Sequence, residues 1–250
     1  MSTEATSPKS EGVAVIDRAC AILFAFRPGD SALTLAELAA RTGLYKSTLL
    51  RLAGALIQHR LVVRLEDGRY QLGPATFMLG ALYQRGLNLG DILLPLMREL
   101  AEASGESVSF YVRDGAVRVC LHRVDSKHSV RFHVHEGDVL PLHSGSGGRA
   151  LLAFGDEPGD VFDGIRRDFY CVSIGERERE TAGISMPVFG VQQTLRGVFT
   201  LAGPSSRIDE AFIDGNLDRL FSCAIRATDS LGGDSRAQRN AQQVATKGRV

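Results

Sequence analysis

Tryptophan is absent from the 250 residues, cysteine and methionine occur four times each, and neither sign of charge is in excess, with 29 Lys plus Arg against 29 Asp plus Glu. Each shortage excludes something. The zero net charge argues against a polycation that coats nucleic acid without regard to sequence, and against a polybasic membrane binder. It leaves room for a smaller basic module whose charge is cancelled elsewhere. Cys20, Cys120, Cys171 and Cys223 lie far apart with no C-x-x-C pair. That spacing excludes local zinc-ligand pairs and a dense disulfide framework, so the four read as reduced thiols. No apolar run approaches the roughly 20 residues of a membrane span, and the start MSTEATSPKSEG has no apolar signal core. The chain reads as soluble and cytoplasmic, without a membrane partner. What is present, 44% hydrophobic and 23% charged residues, is ordinary for a globular protein of one large or two modest domains.

Residues 1–12 are Ser/Thr/Glu-rich, and residues 231–250 open on two glycines and carry few large apolar groups; both read as disordered tails. Between them lie two blocks of different pattern. In the first, Val15, Ile16, Ala19, Ile22, Leu23 and Phe26 recur at helical spacing until Pro28-Gly29-Asp30 stops the helix. Thr34 followed by Glu37 is a capping box opening a short helix from Leu35 to Arg41, ended by Gly43. A third helix runs from Lys46 to His59 with Leu49, Leu52, Leu56 and Ala53 on its inner stripe. LVVRL and YQL then flank Glu66-Asp67-Gly68-Arg69, the turn of a hairpin, and a further helix covers Pro74 to Arg85.

Three helices followed by a hairpin is the order of a winged helix-turn-helix. The stripe turns Lys46, Ser47, Leu50, Arg51 and Gly54 outward, where a groove-entering helix first meets phosphates and base edges. Arg51 has the fork that reads guanine or clamps phosphate. Arg64 and Arg69 belong to the wing. From 41 to 69 there are six cations, Arg41, Lys46, Arg51, Arg60, Arg64 and Arg69, and only two acids, Glu66 and Asp67. The candidate DNA contacts are Thr34, Lys46, Ser47, Thr48, Arg51, Arg64 and Arg69, with double-stranded DNA as partner. Gly54 either permits close approach to DNA or is merely tolerated in mid-helix.

The second block reads as a helix from Asp91 to Ala103, two strands around Asp114-Gly115, a strand from Val130 to Val134, a short helix from Gly147 to Phe154, strands in GISMPVFG and GVFTLAGP, and a closing helix from Arg207 to Leu231. Strands and helices in that order make an α+β domain. HSGSGG (143–148) presents backbone N–H groups at a helix start, which suits an anion such as a carboxylate. The same glycines also suit a tight loop against a sheet, and both readings stand.

The segment ALTLAELAARTGLYKSTLLRL (32–52) with GRYQLG (68–73) resembles the DNA-binding domain of the IclR family of bacterial transcriptional regulators. GDVLPLHSGSGGRALLAF (137–154), IGERERETAGISMPVFG (174–190) and AGP (202–204) resemble that family's effector-domain signatures. The resemblance covers about residues 13–230. It implies a winged helix-turn-helix domain (13–73), a linker helix that helps dimerise (74–88), and a GAF-like effector-binding and oligomerisation domain (89–230). It also implies a homodimer or dimer of dimers on a (pseudo)palindromic operator, a small carboxylic or aromatic acid as effector, no cofactor and no catalysis. By motif, the effector positions carry over to Leu140, Ser146, Gly147, Ser173, Gly183, Thr200 and Ala202. Gly183 and Ala202 stand where the family can carry polar side chains, which implies a roomier, less polar pocket and a larger acid. The stretch 155–164 is shorter than in the family, which usually has a helix and a Thr-rich turn there. A constitutive DNA-binding protein whose second domain only oligomerises therefore stays open.

Two other readings are weaker. GSGGRA (145–150) matches G-x-G-x-x-A, but the preceding GDVLPLHS holds a proline and no βαβ repeat follows, so a dinucleotide enzyme is disfavoured. His133 and His135, with His128, Glu136, Asp138 and His143 nearby, make a metal site conceivable, yet they suit a surface or core edge better. The charge itself divides: residues 13–86 carry 9 basic and 5 acidic groups and residues 87–230 carry 15 and 21. Two domains of opposite sign follow, with the basic one suited to DNA.

Overall fold

The computed structural model describes residues 13–27, 29–87 and 89–247. The expected tail 1–12, Pro28 of the first helix stop, Asn88 of the expected linker and residues 248–250 lie outside the described residues. Tertiary contacts divide the chain into two compact units, one ending at Gly86 and one starting at Leu87.

The first unit comprises α1 (Ala14–Leu23), α2 (Leu35–Thr42), α3 (Lys46–Gln58), the hairpin β1 (Val62–Arg64) and β2 (Tyr70–Leu72), and α4 (Pro74–Leu87). α1 stops at Leu23, one turn before the expected end. α2 opens on the expected capping box: Thr34 Oγ1 accepts from Glu37 N, and Thr34 N donates to Glu37 Oε2 at 2.7 Å. It closes on Gly43, whose φ of 69° is the left-handed cap a glycine takes without strain. The core holds Ile22, Leu38, Leu49, Leu52, Ala53, Leu56, Val62 and Tyr70, so the period of α3 decides which of its faces stays in water. Gly68, at φ 86°, turns the hairpin tip.

The second unit is α+β. Its elements are α5 (Gly90–Ser104), β3 (Ser107–Asp114), β4 (Val117–Val124), β5 (Val139–Pro141), α6 (Gly145–Ala153), α7 (Asp160–Asp168), β6 (Cys171–Ile174), β7 (Thr181–Phe189), β8 (Leu195–Pro204), α8 (Glu210–Ser230) and α9 (Arg236–Lys247). The six strands form one antiparallel sheet in the order β5-β4-β3-β8-β7-β6. Side chains alternate across it. Val108, Phe110, Ile184, Met186, Phe199 and Leu201 pack with α5 and α8 on one face. Tyr111, Cys120 and Val198 pack with α6 on the other. That second face also carries Ser109, Ser185, Thr200 and Ser173, all buried, and is the more polar of the two. Pro141 is tolerated because β5 is an edge strand, bonded to β4 alone.

Three expectations need correction, and one strand is new. Residues 130–134 form no strand; Val130, Phe132 and Val134 alternate with polar residues, but their backbone joins no ladder. The Cys171–Ile174 strand was not anticipated. The short stretch 155–164 does not lack a helix: α7 begins at Asp160 and seats Phe162 and Ile165 in the second core. Finally, 231–250 is not a tail along its length. α9 turns Gln238, Ala241, Gln242 and Ala245 inward at helical spacing, and Ala241 and Ala245 pack on the first core. Gln238 is fully buried and donates to the carbonyl of Pro187 at 2.9 Å. Phe189 N, on the same edge of β7, donates to Thr228 Oγ1 of α8 at 3.2 Å.

Candidate nucleic-acid interface and ligand pocket

On α3 the buried Leu49, Leu52, Ala53 and Leu56 fix the outward face. Lys46, Ser47, Arg51 and Gly54 are exposed there, Leu50 is 49% exposed, and Thr48 is half-buried. No side chain caps the helix: the residue before it is Tyr45, extended and 85% exposed, and no acid stands in the first turn. The first-turn N–H groups therefore have only solvent or a ligand to bond, which favours an anion. Tyr45 was not among the sequence candidates; its signal is a bulky side chain at an N-cap, where a small polar residue is the rule.

The remaining candidates differ in availability. Thr34 Oγ1 is engaged with both the N–H and the carboxylate of Glu37, so a phosphate contact there competes with the capping box. Arg64 reaches over the Tyr70 ring at 5.9 Å. Arg69 donates from Nε to Asp67 Oδ2 at 2.7 Å and from its backbone N–H to Oδ1 at 3.0 Å, and these bonds hold the Asp67 carboxyl below its ordinary value. Its charge is thus partly neutralised at the hairpin tip. Arg41 is structural: it bonds the carbonyl of Ala25 and pairs with Asp30. Among the described residues, Lys46, Arg51 and Arg64 have no carboxylate partner.

In the second unit, α6 packs on the polar face of the sheet without covering all of it. An added Cβ on Gly147 would lie 2.9 Å from Thr200 Oγ1 and 3.3 Å from Tyr111 Cδ2, so glycine is what lets the helix lie this close. Ser185 Oγ links Ser146 Oγ and Thr200 Oγ1, each at 2.8 Å. The uncovered remainder is a cavity of about 50 Å³ lined by Ser146, Gly147, Ser173, Gly183, Thr200 and Ala202, the loop residues Phe132 and Val134, and Tyr111, Arg118, Arg123 and Arg177. Six of the seven sequence candidates meet there. Leu140 does not; it lies on β5 and packs against the second core.

The three arginines were missed. Among the described residues, no acid lines the cavity. Arg118 is 3% exposed; its Nη1 donates to the carbonyls of Pro141 and Ser144 at 2.8 and 2.6 Å, and its Cζ lies 5.2 Å over the Tyr111 ring. Burial pulls this guanidinium below its ordinary value. Arg123 is satisfied by Asp125 at 2.7 Å, Ser109 Oγ and the Phe132 carbonyl. Among the described residues no group of three potential ligands gathers for a metal ion; the His133 and His135 rings lie 6.4 Å apart. Nor is any described helix long and apolar enough to cross a membrane.

Comparison with known proteins is consistent along the chain. Residues 15–66 match the model of the IclR helix-turn-helix domain, and residues 81–161 match that of the bacterial transcriptional regulator IclR C-terminal domain. The HTH-type transcriptional regulator KipR of Bacillus subtilis is 24% identical over 84% of this chain and 93% of that protein. The transcriptional repressor IclR of Escherichia coli is 32% identical over 60% of this chain, a match that spans 56% of that protein. In fold, an IclR homologue from Microbacterium hydrocarbonoxydans, solved in complex with 4-hydroxybenzoate, superposes with a TM-score of 0.77 at 19% identity, covering 87% of this chain and 98% of that one.

Proposed function

The chain belongs to the IclR family of DNA-binding transcriptional regulators, and from that premise we propose that it binds a pseudo-palindromic operator as a homodimer or dimer of dimers and that a small organic acid in the second-unit cavity alters this binding. The cavity carries the reading. Three arginines and the start of α6 face it and, among the described residues, no carboxylate does, an arrangement that attracts an anion and disfavours a neutral or cationic ligand. Its volume is well below the roughly 300 Å³ of a drug-sized site, which favours a short acid over the larger one that Gly183 and Ala202 imply. The ligand of the Microbacterium homologue is itself a carboxylic acid, and the cavity favours a responsive regulator over one whose second unit only oligomerises.

On the DNA side, Lys46, Ser47, Thr48 and Arg51 are the recognition-helix contacts of this reading, and Arg64 and Arg69 the wing contacts. Self-association is supported by apolar side chains left in water: Val15 and Ile16 on α1, and Phe77, Leu79, Leu82 and Tyr83 on α4, each more than half exposed. The test is selection of duplexes from a random pool by the full-length protein, with mass measured by light scattering. The expected result is enrichment of a two-fold symmetric site whose half-sites lie about one helical turn, or a multiple of it, apart, bound by a dimer or tetramer. Absence of any enriched sequence, or binding by a monomer, overturns it.

A further inference from the structure

Among the described residues, four buried side-chain atoms have no hydrogen-bond partner: Arg118 Nε, His122 Nε2, Arg177 Nε and Gln238 Oε1. Two of the four are guanidinium donors lining the same cavity. Buried donors are almost always satisfied, so two in one cavity point to an acceptor that belongs between them.

The two arginines come from different walls. Arg118 stands on β4 beneath the first turn of α6, and none of the described carboxylates pairs with it. Arg177 comes from the loop between β6 and β7, lies 5.9 Å over the Phe132 ring, and is 20% exposed at its side chain. Its carboxylate neighbour, Glu178, is 3.5 Å from Nε, itself 59% exposed, and leaves that N–H unbonded. The loop is fixed by the pairing of Glu176 with Arg149 of α6 at 2.5 Å. Arg123, already satisfied, takes no part.

One carboxylate occupies the fork of one guanidinium. A monoacid therefore leaves the second arginine desolvated, and the two cations, whose mutual repulsion helps to pull Arg118 down, half-compensated. Two carboxylates on a short chain satisfy both. We propose that the cavity is specific for a small dicarboxylate, with one carboxylate on Arg118 and the other on Arg177. This rests on the reading of the cavity as the effector site.

The test is isothermal titration of the full-length protein at constant ionic strength with succinate, with butyrate, which replaces one carboxylate by a methyl group, and with inorganic phosphate, a dianion on one centre. Succinate is expected to bind at least tenfold more tightly than butyrate or phosphate. In Arg177→Gln, succinate loses far more than butyrate and falls to within about threefold of it; in Arg118→Gln both acids weaken. Circular-dichroism melts establish that each variant folds, and Arg177→Gln decides alone if Arg118→Gln does not. Equal binding of succinate and butyrate, phosphate as tight as succinate, or a preference that survives Arg177→Gln overturns the dicarboxylate inference while leaving an acid pocket. No binding of any of the three overturns the acid pocket and the inference with it.

Discussion

The first turn of α6 and the Arg118 guanidinium are packed so closely that Gly148 has no room for a Cβ, which would overlap both Arg118 Nη1 and the Leu142 carbonyl oxygen. The backbone carbonyl cannot retreat without breaking the seat of the helix, and the guanidinium is held by Pro141 and Ser144.

Gly148→Ala is therefore expected to destabilise the protein by about 1–3 kcal/mol, the usual cost of overpacking, measured as a lower urea midpoint. Gly54→Ala is the counterpart. Nothing lies within 4 Å of its Cβ position, so the helix gains up to ~1 kcal/mol. If DNA affinity falls in that more stable variant, the duplex backbone approaches α3 at Gly54.

Arg51→Ala is expected to weaken operator binding by about 1–3 kcal/mol and to relax sequence choice at one position per half-site, as loss of a bidentate base contact does. Lys46→Ala is expected to weaken all sequences alike and reduce the salt slope by about 1 per half-site. Anisotropy titrations at several salt concentrations separate the two; unchanged affinity in both variants removes α3 from the interface.

Thr34→Ala is expected to cost about 1 kcal/mol through loss of the α2 cap. Bonds from Thr34 lower Glu37, and Arg41 with the Arg27 backbone lowers Asp30. Both carboxyls are depressed on folding, so their contribution is present above the ordinary carboxylate range and is lost as pH falls through it. The thermal midpoint of the wild type is expected to drop on going from pH 6 to pH 3, and Thr34→Ala to flatten that drop. An identical drop in the variant argues against the capping box as a source.

Burial pushes the thiols of Cys120 and Cys223 up to about 12 and that of Cys171 to about 11, from 9.0. The unfolded chain therefore releases these protons near pH 9 while the folded chain keeps them. Stability is present below pH 9 and lost as pH rises toward 12. A thiol reagent is expected to label one residue of the native protein, the half-buried Cys20, against four in denaturant. Rapid reaction of more than one contradicts the burial.

Local chemistry was legible in the sequence, and tertiary closure was not. The stripe Leu49, Leu52 and Leu56, and the pair Thr34 and Glu37, are each written within a few turns of chain. The alternation through Phe132 and Val134 is that of a strand. Alternation reports which side chains are covered, and these two cover the cavity from a loop. α9 escaped notice because its inward positions are alanine and glutamine, too weakly apolar to mark a face. Nothing adjacent in sequence marks Arg118, because its burial depends on Pro141, Ser144 and Gly148, more than twenty residues away, folding over it.

The bonds from Gln238 and Thr228 to β7 have a further consequence. β6 pairs with β7 only as far as Ser185, so Pro187 and Phe189 present their polar groups at a bare strand margin, and these two side chains occupy it. A chain cut after α8 would keep the Thr228 bond but free the Pro187 carbonyl, beside the apolar strip under Ala241 and Ala245. Such a fragment is primed to recruit strands from its neighbours and to aggregate, so α9 guards solubility as well as packing.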